Sequence, residues 1–189
     1  MLDYDKELIA STGPFTVLEC EQTHVLPAMS VGGEVFNFTY KPDRIDCLHD
    51  GTVRIVDYKT GGDKTDFDGM NDLFGPDAED SRRPAKRCKA VLQLFLYCYA
   101  YLSEYGMDKK VMPVIYKLSA MQESGVIRKG HGQYVFSVDD EVARMFVSRM
   151  GETVRALYGQ DFIQAEEDDK ACSYCRFIDF CRRTPRKND

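Results

Sequence analysis

Asp57 and Lys59 stand two residues apart at the end of the apolar run "RIVDYKTGG". In an extended strand that spacing aims both side chains at one face. A carboxylate and an ammonium so placed favour each other's charged form. Asp43 lies fourteen residues before Asp57, across the turn signal His49-Asp50-Gly51. Its carboxylate comes within reach of Asp57 if the two segments pair as a hairpin. Two carboxylates that close repel unless a cation lies between them, and hard oxygen ligands with room for water suit Mg²⁺ or Mn²⁺. The backbone carbonyl of Tyr58 offers a further oxygen. Beside such a metal, Lys59 can orient or deprotonate a water and counter charge building on a phosphate. Asp46 competes with Asp43 for the first ligand position, but an offset of three puts the two on opposite faces of a continuous strand. Only one of them should reach the metal.

A second set of residues has metal chemistry of its own. Cys172, Cys175 and Cys181 form C-x₂-C-x₅-C, followed by basic residues. Zinc and iron–sulfur clusters both take four ligands, commonly sulfur, and only three are local. Tyr174, Phe177 and Phe180 lie between the thiols and could shield a bound centre from water. Cys20 is the best fourth ligand in the chain, though on an alternating strand it reads more as a core residue. Cys47, Cys88 and Cys98 read as small apolar side chains, and His24 and His49 as surface or turn residues.

The elements that must position these groups follow from pattern. "FTVLECE" alternates as a strand ending near Glu21. "GGEVFNFTYKPDRIDCL" is rich in strand formers, with Pro42 marking a bulge or strand end. "RIDCL" and "TVRIVDYK" pair across the turn. Residues 60–86 are rich in Gly, Asp and Pro and too long for an ordinary connection, so they are expected to form a long flexible loop. "RCKAVLQLFLYCYAYLSEYG" is a helix with Val91, Leu94, Phe95, Cys98, Tyr101, Leu102 and Tyr105 at helical spacing. "KKVMPVIYKLSAM" returns to strand and "GQYVFSV" to a second hairpin arm. Asp139 and Asp140 cap a last helix striped by Val142, Met145, Phe146, Met150, Val154 and Leu157. Strands, helix, strand, helix predict an α/β fold of the α+β type, a mixed central sheet flanked by helices.

With 189 residues, 43% of them hydrophobic, the chain suits one domain spanning 1–189. No run of 18 or more apolar residues is present, which excludes a helical membrane span. The acidic start "MLDYDKELIASTG" lacks the features of a signal peptide, so a cytoplasmic protein is expected. Seven cysteines without an export signal favour metal ligation over a disulfide framework. The net charge of −6 argues against a free-standing nucleic-acid binder. Charge is nevertheless segregated: acids dominate 60–80, then Arg82, Arg83, Lys86, Arg87 and Lys89 follow, and Arg182, Arg183, Arg186 and Lys187 close a Cys-rich, basic segment over 165–189. Local basic patches can grip phosphates whatever the total charge.

Pro42-Asp43 and Asp57-Tyr58-Lys59 together resemble the signature of the PD-(D/E)XK nucleases. "DRID…RIVDYKTG" resembles in particular the RecB-like branch found in RecB, AddB and the CRISPR-associated RecB-like nucleases. The resemblance implies a restriction-endonuclease-like core and divalent-metal-dependent cleavage of DNA, in exonuclease fashion, within a helicase–nuclease system of repair and recombination. It favours Asp43 over Asp46, because "DRID" matches the branch on that register. Gln93 and Tyr97 resemble the branch's Q-x-x-x-Y helix motif, four residues apart and so on one helical face. Glu21 matches the acid that ends the branch's preceding strand. The cysteine trio resembles the one that holds a [4Fe–4S] cluster in AddB and its CRISPR-associated relatives, together with one Cys from upstream of the nuclease motifs. That Cys is not identified in this chain. Arg82, Arg83, Arg87, Arg182 and Arg183 are the implied DNA contacts, and a helicase subunit or domain the implied partner. Members of the branch begin with a helix bearing a metal-site His. About fourteen residues precede the first strand here, without a His, so the chain is expected to be a fragment of a longer protein. The competing reading is a silent nuclease fold kept for DNA binding or assembly.

Overall fold

The computed structural model describes residues 2–31, 33–74, 88–159, 172 and 175–182. In chain order they form α1 (Leu2–Thr12), β1 (Phe15–Cys20), β2 (His24–Val31), β3 (Glu34–Tyr40), β4 (Arg44–Leu48), β5 (Val53–Lys59), β6 (Asp66–Phe67), α2 (Met70–Phe74), α3 (Lys89–Tyr105), β7 (Val111–Lys117), β8 (Ile127–Arg128), β9 (Gly132–Gln133) and α4 (Glu141–Gly159). Two compact units divide within α4, Met1–Arg155 and Ala156–Asp189. No helix among the described residues is long and apolar enough to cross a membrane.

The central sheet of the first unit has the order β1-β4-β5-β7. The β4–β5 hairpin closes through Gly51, whose φ of 86° suits glycine best, while Asp50 Oδ1 accepts the Thr52 N–H at 2.9 Å. β1 and β5 flank β4 antiparallel, and β7 joins β5 in parallel after the α3 crossover. Strand alternation gives the sheet two different faces. Ile45, Val53, Ile55, Val111 and Ile115 pack with Val91, Leu94, Phe95, Cys98 and Leu102 of α3 and with Val142, Ala143 and Phe146 of α4. Val56, Val114 and Tyr116 face the other way, where Tyr4 of α1 packs on them.

Several expectations change against this fold. α1 and β2 were not legible: the apolar residues of α1 are scattered among charged ones without one clear stripe, and β2 is interrupted by Pro27 and by a register shift between Leu26 and Met29. Within segment 60–86 the expected loop is interrupted by β6 and α2. Phe67, Met70 and Leu73 are buried in the core from β6 and α2, apolar positions that the surrounding Gly and Asp disguised. Residues 75–87 lie outside the described set. On α4, Asp140 Oδ2 accepts the N–H groups of Val142 and Ala143 at 2.9 and 3.4 Å, a side-chain cap. The apolar stripe is rotated, however, so that Ala143 is buried while Met145 is exposed. Cys20 is exposed on edge strand β1 rather than in the core, and Cys88 and Cys98 are buried.

Candidate active site

β5 is buried from Val53 through Asp57 and opens only at Tyr58 and Lys59. Asp57 is 5% exposed, and its Oδ2 lies 2.7 Å from Lys59 Nζ. The approach is not aligned as a hydrogen bond, so this buried oxygen has a charge partner but no directed donor. Burial raises the pKa of Asp57 most; the Lys59 ammonium opposes that, and the charges of Asp43 and Asp63 push it up further. Asp63 is thus a third acid close to the pair, which the sequence pattern did not single out. Its signal is the "DYKTGGD" run, in which a glycine turn can fold the chain back on the strand end.

Asp43 sits just before β4 and its Oδ2 accepts the Tyr58 N–H at 2.7 Å. Because the N–H and C=O of a strand residue point to the same side, the Tyr58 carbonyl is directed toward Asp43 as well. Asp46 goes elsewhere. It is fully buried, with Oδ1 2.6 Å from Arg54 Nε and Oδ2 2.8 Å from Arg54 Nη2 and 2.9 Å from Arg44 Nε. Tyr116 Oη accepts from Arg44 Nη2 at 3.1 Å and donates to Asp5 of α1 at 2.8 Å. This network lies on the α1 face. Asp46 and Arg54 are opposite charges in register across the hairpin, a pairing that becomes visible only once that register is known.

On the other face α3 supplies the rest. Lys59 Nζ donates to Gln93 Oε1 at 3.3 Å, and Gln93 Nε2 donates to Tyr97 Oη at 2.9 Å. Asp57, Lys59, Gln93 and Tyr97 are therefore one continuous polar chain from strand end to helix. Tyr97 continues it to the Tyr40 ring, 5.8 Å away. Behind Tyr40 lies His24, which is buried and not a surface residue. Its ring stacks on Tyr40 at 4.6 Å, with Glu19 3.1 Å from Nε2 and Glu104 3.6 Å from Nδ1. His49 is in the exposed turn.

Other candidates stay apart from this chain of contacts. Glu21 follows β1 with φ 48°, and its exposed carboxylate pairs with Lys41 at 3.0 Å, while its N–H donates to the Asp43 carbonyl. Arg82, Arg83, Arg87 and Arg183 lie outside the described residues. Arg182 is exposed in a turn with φ 54°. In the second unit Cys175 is exposed, Cys172 and Cys181 are half-buried, and Phe177 and Phe180 face outward instead of shielding a centre.

The donor set at Asp57 suits a hard divalent cation. A buried carboxylate oxygen without a directed donor, a second carboxylate near by and a main-chain carbonyl on the same side are all oxygen ligands. Among the described residues no group of three or more His, Cys, Asp or Glu side chains is gathered to hold a metal ion. A cation here would take two carboxylates and complete its shell with main-chain and water oxygens, as Mg²⁺ does. The described cysteines do not meet the four-sulfur requirement of a cluster.

The model of the PD-(D/E)XK nuclease superfamily matches residues 1–182, and the chain belongs to that superfamily. The mixed sheet with helices on both faces is its restriction-endonuclease-like fold. Nucleases of this kind typically use divalent metals. No curated protein matches the chain. Among solved structures it is similar to the crystal structure of SSO0001, with 17% identity and a TM-score of 0.38. That match covers 95% of this chain and 66% of the other, so the chain spans just under two thirds of its length.

Proposed function

We propose that this chain is a Mg²⁺- or Mn²⁺-dependent deoxyribonuclease of the RecB-like branch, working as an exonuclease beside a helicase in DNA repair or recombination in the cytoplasm. The observation that carries the reading is the continuous contact chain Asp57–Lys59–Gln93–Tyr97, with Asp43 at the neighbouring strand end. Asp43, Asp57 and the Tyr58 carbonyl would hold the metal, and Glu21 would have to leave Lys41 to join them. The bound cation supplies Lewis-acid help to the phosphate and eases loss of a proton from water. Lys59 orients the attacking water and counters charge on the phosphate oxygens. Gln93 holds the Lys59 ammonium in place, and Tyr97 offers its hydroxyl to a neighbouring phosphate. Water adds to phosphorus, one ester P–O bond breaks, and a proton ends on the departing oxygen. Cys172, Cys175 and Cys181 would contribute three ligands to a [4Fe–4S] cluster with a structural role, its fourth ligand being a cysteine not identified in this chain, and Arg82, Arg83, Arg87, Arg182 and Arg183 contact DNA.

The test is cleavage of labelled single- and double-stranded DNA with Mg²⁺ or Mn²⁺, comparing wild type with Lys59→Ala. Metal-dependent cutting that drops by about a hundredfold or more in the variant is expected for a group acting directly on the reacting atoms. Thermal melting with and without Mn²⁺ reads the metal separately, since a ligand that binds only the folded state stabilises it. Equal cutting by both proteins, or no shift of melting with Mn²⁺, would sink the reading.

A further inference from the structure

The turn joining β8 to β9 reads Arg128-Lys129-Gly130-His131-Gly132. It holds two cations and no acid in a chain of net charge −6. Lys129, Gly130, His131 and Gly132 are exposed, and space beside both glycines is open, with φ of 78° and 84°. A bulky polyanion can therefore approach the main chain closely here. The tip is also held firmly. His131 N–H donates to the Arg128 carbonyl at 2.9 Å, Lys129 N–H to the Phe67 carbonyl at 3.0 Å, and Tyr134 N–H to the Val126 carbonyl at 2.8 Å.

Its anchorage ties it to the proposed cleavage site. Ile127 N–H donates to the carbonyl of Thr65, six residues beyond Lys59. Gly125 N–H donates to the carbonyl of Ile115, and Ile115 is the register partner of Asp57 on β7. Two inter-strand steps and four residues of extended chain bound the distance from Asp57 to Lys129 at roughly 24 Å. That is about seven base pairs of duplex at the rise along one strand.

We infer that the β8–β9 hairpin tip is a phosphate-backbone contact for a polynucleotide, with Arg128 and Lys129 as its cations, placed to hold the strand whose scissile phosphate lies at Asp57. The inference rests on the nuclease reading above and extends it to a surface outside the catalytic chain. Lys129 is held back only loosely, by Asp66 Oδ2 at 3.8 Å, with both side chains nearly half exposed. A phosphate can take the place of that carboxylate at little cost. Contacts of this kind carry no base information, so binding through the tip is sequence-independent.

The experiment measures binding of a fluorescent DNA duplex by anisotropy across a salt series, for wild type, the double variant Arg128→Gln/Lys129→Gln, and Asp66→Asn. Each lost phosphate contact reduces the slope of log affinity against log salt by about 0.9. The double variant should therefore lose about 1.8 units of slope, so that wild-type affinity falls about twelvefold more than the variant's between about 50 and 200 mM salt. Asp66→Asn, which frees Lys129, should bind more tightly than wild type. It guards against a double variant that binds poorly because it has lost its fold, which melting also reports. An unchanged slope in a folded double variant overturns the inference. The two readings fail separately. Wild type that binds through the hairpin but cuts nothing defeats cleavage alone, and wild type that cuts with a hairpin-independent slope defeats this inference alone.

Discussion

Burial of Asp57 sets two demands against each other. The carboxylate must be ionised to hold a cation, yet its site penalises the charge more than the Lys59 ammonium offsets it, and its pKa lies above the ordinary 3.8. A group whose folded pKa exceeds its unfolded value stabilises the fold at low pH, and that contribution is lost as pH rises through the folded value. At neutral pH without metal, wild type thus carries a net cost, only partly offset by Lys59, that a neutral isostere avoids. Asp57→Asn should melt at a higher temperature than wild type at pH 7, while losing metal-dependent cleavage, as stability and activity trade at functional sites. The advantage should shrink as pH falls and vanish below about 3.8, where Asp57 is protonated in both states. Melting curves of the two proteins in chelator across this range check it. A variant less stable than wild type at pH 7 would show that the Lys59 pairing outweighs burial. Gln93 belongs to the same balance, since its Oε1 accepts from the Lys59 ammonium that also faces Asp57.

At the scale of elements, Asp43 and Asp46, three residues apart around the start of β4, are delivered to different surroundings. Asp43 meets the Tyr58 main-chain N–H and acts on the Asp57 carboxylate, whereas Asp46 is locked between Arg44 and Arg54 on the α1 face. Substitution should separate them. Asp46→Ala leaves buried Arg54 without its counter-charge and should cost about 3–5 kcal/mol of stability. Asp43→Ala frees one N–H near the surface and should cost about 1 kcal/mol while removing cleavage. Urea unfolding beside a cleavage assay reads both, and a cheap Asp46→Ala would contradict the structural role. The hairpin, β5, α3 and the α4 cap were legible because period, turn chemistry and capping agree there. That Asp43 and Asp46 part ways was legible from their spacing alone. What held them apart was not: the Arg54 partner needs the pairing register, and α1 needs the tertiary contact of Asp5 with Tyr116. His24 was misjudged for the same reason, since only the fold brings Glu19, Tyr40 and Glu104 around it.

At the scale of the molecule, the apolar core of the described residues lies in the first unit. The main cluster runs from Ile45 to Phe146, with Met150 packed against it, and every member lies in the unit Met1–Arg155. The cysteine trio belongs to the other unit, Ala156–Asp189. A chain of residues 1–159 keeps the whole of α4 and every residue of the candidate site. If the cysteine segment is a structural appendix, that shortened chain should unfold in one cooperative transition. Its midpoint should fall by no more than about 4 °C, equivalent to about 1 kcal/mol for a protein of this size. It should also keep metal-dependent cleavage at saturating DNA, with weaker DNA binding because Arg182 and Arg183 are gone, while any iron that the full chain binds under anaerobic conditions is absent. Calorimetry, the cleavage assay and iron analysis on the two proteins decide it. A broad, early transition in the shortened chain would mean that residues beyond 159 complete the core, and the cysteines would then act on stability of the nuclease unit itself.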